Sequence, residues 1–175
     1  MGLQAKEGWQ SLVYCNGLEN RRAFIGTVGS NPTPSANYHM KDYIKHIFKQ
    51  IPDFLKILGF EDAYLDEKSE QWVVEFMPTK DLTHSNGTIV QGGFVSGMLD
   101  ATMSQYLIFL TEGKQAPLTL DLDVKFLKSC SPNQKVIARS KIVKKGKSIA
   151  FTSGELIQDN VVIAVATSTS KLVNI

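Results

Sequence analysis

The spacing of apolar positions changes several times along the chain, and each change marks an element. Between Met40 and Leu58 the residues Tyr43, Ile44, Ile47, Phe48, Ile51, Phe54, Leu55 and Leu58 recur at helical intervals. Pro52 interrupts this run. Proline lacks the N–H of a helical turn and its ring clashes with the preceding carbonyl, so a break is predicted near Gln50, with Gly59 as the stop. The expectation is one bent helix or two short ones. Gln71 to Met77, QWVVEFM, reads as a strand closed by Pro78. A loop over 79–90 then leads to a Gln-Gly-Gly turn and a long apolar run opening near Gly93 and ending at Leu110. Apolar residues lie on every face of that run, which is the pattern of a helix enclosed by protein.

Beyond the helix the period switches from helical to alternating. In LTLDLDVKFL, Leu118, Leu120, Leu122, Val124 and Phe126 alternate with Thr119, Asp121, Asp123 and Lys125, which predicts a strand with one wet or functional face. Strands follow over 135–143, 148–157 and 161–172. The gaps between them, Lys144-Lys145-Gly146-Lys147 and Gln158-Asp159-Asn160, are short and carry hairpin residues. One enclosed helix followed by an antiparallel meander is an α+β arrangement, with the sheet wrapped around the helix. Residues 1–38 keep no period; Gly, Asn, Ser and Pro punctuate GTVGSNPTPSAN, so this part reads as a poorly organised extension to a single domain over 39–175.

Composition narrows the function. With 175 residues, 43% hydrophobic and 21% charged, one domain with a real core is expected. A net charge of +2 gives no bulk electrostatic case for nucleic acid. Cys15 and Cys130 lie far apart without metal-like spacing, so no zinc site or disulfide framework is expected, and His39 and His46 read as surface residues. Ser96, Asp100, Ser104 and Gln105 interrupt the long helix against a membrane span, and the N-terminus has no continuous apolar stretch of the secretory kind; a cytoplasmic protein is expected.

Between Gly93 and Leu110 the only formal charge is Asp100. A carboxylate inside an enclosed helix is costly unless it is paired or used. Gly92 and Gly93 at the helix start leave backbone N–H groups bare at the positive end of the dipole, where a carbonyl oxygen or oxyanion fits. A Ser-His-Asp site is not favoured: His84 is the one histidine near the turn, and no Gly-x-Ser-x-Gly elbow occurs.

VQGGFVSGMLDAT, the strand carrying Thr119, KKGKSIAFTSGELI and VVIAVATSTSKLV together resemble the hotdog-fold acyl-CoA thioesterases, in particular the phenylacetate-pathway type. The resemblance covers Gln71 to Val173, and residues 1–38 lie outside it. It implies a sheet wrapped around the central helix, pairing of two subunits edge to edge as a homodimer or dimer of dimers, and an acyl-CoA substrate, with no cofactor or metal. It implies Asp100 as general base or nucleophile, the Gly93 N–H as donor to the thioester oxygen, Gln91 as orienting residue, and Thr119 as holder of the attacking water. Asn86 stands one position away from the Asn that many relatives use to hold the carbonyl, and Lys147 stands where relatives often carry Arg. Lys145, Gly146 and Lys147, with Gly92 and Asn86, are the implied substrate-binding positions; the basic turn reads either as a solvated hairpin or as a clamp for coenzyme A phosphates.

A thioester has a good leaving group, so hydrolysis needs mainly carbonyl polarisation and a carboxylate. Asp100 lies about two turns below the helix start, too far down its own axis to meet a carbonyl held at Gly93 of the same helix. A second subunit would supply it. Two other readings stay open on the same fold: a non-catalytic acyl-CoA-binding module, and a hydratase or dehydratase. Phe94, Met98, Met103 and Tyr106 are candidates to line an acyl pocket.

Overall fold

A computed structural model describes residues 51–175 of the chain. The expectations for residues 1–38, for the first part of the 40–58 helix, and for Cys15, His39 and His46 fall outside the described residues. What is described of that helix is α1, Asp53–Ile57, which begins directly after Pro52. Proline suits this place because the first N–H groups of a helix have no intrahelical acceptor.

The remaining elements are β1 (Phe60–Asp66), β2 (Gln71–Phe76), a single 3-10 turn (Lys80–Leu82), α2 (Gly92–Leu110), β3 (Gln115–Phe126), β4 (Val136–Lys145), β5 (Ile149–Gln158) and β6 (Val161–Asn174). The strands form one antiparallel sheet in the order β1-β2-β4-β5-β6-β3. α2 packs against β2, β3, β4, β5 and β6, so the sheet curls round it as the patterning predicts. Its start at Gly92 is one residue earlier than the sequence suggests.

The core lies between α2 and the inner sheet face. Met98, Leu99, Met103 and Leu107 of the helix are fully buried with Trp72, Phe76 and Leu156 of the sheet. Trp72 anchors one end: its ring lies 4.8 Å from that of Phe109, and its Nε1–H donates to Gln105 Oε1 at 3.4 Å. Met98, Met103 and Tyr106, read from sequence as pocket lining, are therefore core residues in this protomer, and only Phe94 of that set is half-buried.

β1 escaped the pattern analysis because FEDAYLD carries three acidic residues and a register shift between Phe60 and Asp62, as suits a sheet edge. Gly59, between α1 and β1, has φ +77°, and a Cβ there would lie 2.1 Å from the Met77 carbonyl oxygen. Gly59→Ala is expected to cost at least ~2–4 kcal/mol, from the left-handed backbone and the clash together. A denaturant midpoint matching the wild type would contradict this.

The other edge, β3, departs from its sequence pattern in one respect that matters. A bulge lies between Thr119 and Asp121, leaving Leu120 as the extra residue. A bulge of one residue exchanges the faces of everything on one side of it. Leu122, Val124 and Phe126 pair with Ser168, Ala166 and Ala164 on the inner face, while Thr119 pairs with Ser170, also buried on that face. Leu118 and Leu120 are turned outward and are 51% and 61% exposed. The expectation of five apolar residues on one face is thus corrected: Thr119 takes an inner position and two leucines leave it.

Candidate active site

α2 delivers Asp100 half-buried, facing β3. Thr119, turned inward by the Leu120 bulge, donates its hydroxyl to Asp100 Oδ1 at 2.8 Å. The hydroxyl keeps its lone pairs after that donation and can accept from a water lying beside the carboxylate. Both residues come from one protomer, from elements nineteen positions apart in sequence.

The residues of α2 that its own sheet leaves partly uncovered include Gly93, Ser96, Asp100 and Ser104, which recur at three- and four-residue steps and so form one face. Gly93 and Asp100 share this face but lie about 10 Å apart along the axis. At the head of the helix, Gln91 is the N-cap residue; its backbone N–H donates to Leu82, and its side chain makes no capping bond. Among the described residues, the amides of Gly92 and Gly93 have no acceptor, whereas those of Phe94 and Val95 donate to the Gln91 carbonyl.

The two glycines differ in their surroundings. A Cβ on Gly92 would lie 3.1 Å from the ring of Phe126; one on Gly93 would meet nothing closer than Gln91 Oε1 at 4.0 Å. Gly92 is a packing position, and Gly93 is open with a glutamine amide at its border. Asn86 sits in the preceding loop and accepts from the Thr88 amide at 3.2 Å, next to Gly87 at φ +69°. His84 belongs to the same loop, where its backbone N–H donates to Ile89.

The basic turn joins β4 and β5. Lys145 pairs with Ala150, Ala150 with Ser170 and Ser170 with Thr119, so Lys145 ends a cross-strand row that begins at the Asp100 partner. Three inter-strand steps separate them, roughly 14 Å. Gly146 closes the turn by donating to the Ile149 carbonyl at 2.8 Å. Lys144 pairs with Phe151, one step along and on the opposite face.

Cys130 is buried, and burial pushes its thiol up to about 11. Burial of this kind disfavours the thiolate, the nucleophilic form of cysteine. Among the described residues no group of three His, Cys, Asp or Glu side chains is placed to hold a metal ion, and no helix is long and apolar enough to cross a membrane.

Comparison with known families fits this geometry. The family model of the thioesterase superfamily matches residues 87–164, the span from the Asn86 loop through α2 to β6. Over those residues the chain is similar to the thioesterase superfamily. Mouse acyl-coenzyme A thioesterase 13 is 22% identical over 122 residues, covering 70% of this chain and 84% of that protein. The crystal structure of a phenylacetic acid degradation-related protein from Ralstonia eutropha matches with a TM-score of 0.66 at 23% identity, over 74% of this chain and 98% of that one. The PaaI protein from the phenylacetic acid degradation operon of E. coli matches at 0.63 and 16% identity, over 75% and 92%. The fold shared with these structures is the hotdog arrangement that the sequence suggested.

Two site features were not legible in the sequence. The Leu120 bulge leaves no mark, since alternation runs unbroken through LTLDLDVKF. Phe126 belongs to the apolar row of the strand pattern, and nothing in the spacing ties it to Gly92 across 34 positions. An aromatic near the end of the strand that follows a Gly-Gly helix start is the one signal that could have raised it.

Proposed function

We propose that this chain is a thioester hydrolase acting on acyl-CoA, with Asp100 as general base or nucleophile and the Gly93 amide polarising the thioester carbonyl across a dimer interface. The observation that carries the reading is the Thr119–Asp100 hydrogen bond at a half-open helix face. It fixes a carboxylate and leaves hydroxyl lone pairs to hold water. Two unpartnered amides at the head of the same helix supply a place for the carbonyl oxygen. The separation of about 10 Å along the axis requires the carbonyl and the carboxylate to come from two copies of α2.

The exposed β3 edge supports that assembly. Among the described residues the outer edge of this twelve-residue strand has no partner, and with Leu118 and Leu120 uncovered it is a template for pairing with a second β3. Gln91 lies beside Gly93 and is assigned to orient the carbonyl or the turn. Asn86, engaged in its own loop, is assigned to the entrance of the site.

The test is thiol release from a panel of acyl-CoAs at defined protein concentration. Cys130, buried and hard to ionise, should add no background to a thiol reagent in the native state. Turnover on some acyl-CoA supports the reading. A folded dimer that binds coenzyme A esters without releasing thiol would replace it with the non-catalytic binding module. Among the described residues no histidine is hydrogen-bonded to Asp100, so no observation favours the hydratase reading.

The clamp role proposed for Lys145, Gly146 and Lys147 has its own test. Reversing the charges of Lys145 and Lys147 is expected to raise KM for acyl-CoA roughly threefold to tenfold and to flatten its salt dependence. A short pantetheine thioester, which lacks the nucleotide phosphates, should be almost unaffected. Equal losses on both substrates would count against the clamp.

A further inference from the structure

We propose that Phe126 is the positioning residue of the Gly92–Gly93 turn, holding the helix-head amides open toward a site completed by a second copy of the chain. This rests on the reading above and assigns a residue that neither the motif nor the family match singles out.

Three observations carry it. Phe126 is 55% exposed although it lies on the inner face, opposite the buried Ala164. Its ring nevertheless approaches the place of a Gly92 Cβ to 3.1 Å, closer than ordinary van der Waals contact. A side chain at Gly92 would push ring and turn apart, while Gly93 beside it stays clear. The ring therefore acts as a backstop: it fixes one glycine and leaves the amide of the next unobstructed. Since β3 also carries Thr119, the strand supports both halves of the site, Thr119 holding Asp100 and Phe126 holding the amides.

A double-mutant cycle tests the contact. Gly92→Ala should lower kcat about tenfold with KM little changed, through displacement of the amides by a few tenths of an ångström. In the Phe126→Ala background the same change should cost less than about twofold, because the ring it displaces is gone. Phe126→Ala alone should lower kcat, and Phe126→Tyr should recover most of that loss. A Gly92→Ala effect of equal size in both backgrounds overturns the proposal, as does a loss in Phe126→Ala that follows lowered thermal stability alone. The backbone amide resonance of Gly93 gives a readout independent of turnover: it should move in Phe126→Ala and recover in Phe126→Tyr. If the wild type hydrolyses no acyl-CoA, the function reading fails and this resonance still decides the role of Phe126; an unmoved resonance overturns it.

Discussion

Asp100→Asn should fold, assemble and bind substrate as the wild type does, and lose thioester hydrolysis by about 10²–10⁴-fold, the usual worth of a positioned acid or base. Asparagine has nearly the same shape and keeps an oxygen that can accept the Thr119 hydroxyl, so the 2.8 Å contact has a successor. It removes the charge and the basicity. The loss should fall on kcat, because the proposed role of the carboxylate is to act on water or on the carbonyl carbon rather than to hold coenzyme A. Unfolding midpoints and elution volume check that the variant is intact. Residual activity near the wild-type level would show that Asp100 is only a satisfied helical acid, bonded to Thr119 for stability.

The second result concerns where the two halves of the site come from. Gly93→Pro deletes the N–H at the head of α2 while keeping a backbone that the first turn of a helix accepts. Removal of one such donor is expected to cost about 10²–10³-fold in kcat. Asp100→Asn and Gly93→Pro are then each nearly inactive alone. Unfolded together and refolded, half of the dimers are mixed, and in each mixed dimer one of two sites has both an intact Asp100 and an intact Gly93. About a quarter of wild-type activity should return, by the statistics of a two-fold assembly. A site contained within one protomer predicts no recovery at all. The result separates the two geometries without a structure of the complex.

Much of this was readable from residue order. The enclosed helix, the hairpin turns around Gly146 and Asn160, and the lone Asp100 follow from spacing and from the cost of an unpaired charge, and strand limits differ from expectation by three residues or fewer. Longer-range effects were not readable. β1 is held by its pairing with β2 despite a polar sequence. Thr119 reaches Asp100 because of a bulge whose cause lies in the pairing with β6, where the local alternation of leucine and polar residues argues for the other face. Gly92 and Gly93 look equivalent as letters, and only the position of the Phe126 ring separates a packing glycine from an open one.

The open edge of β3 also bears on how the protein is made. In the proposed dimer, a folded chain that has not yet met a second copy presents, among the described residues, one open edge of the twelve-residue β3 beside exposed Leu118 and Leu120. Its last folding step is then bimolecular, so renaturation should speed up with protein concentration and stall on dilution. The same edge would accept any extended peptide in the interval, which makes newly made protomers the stage most exposed to aggregation.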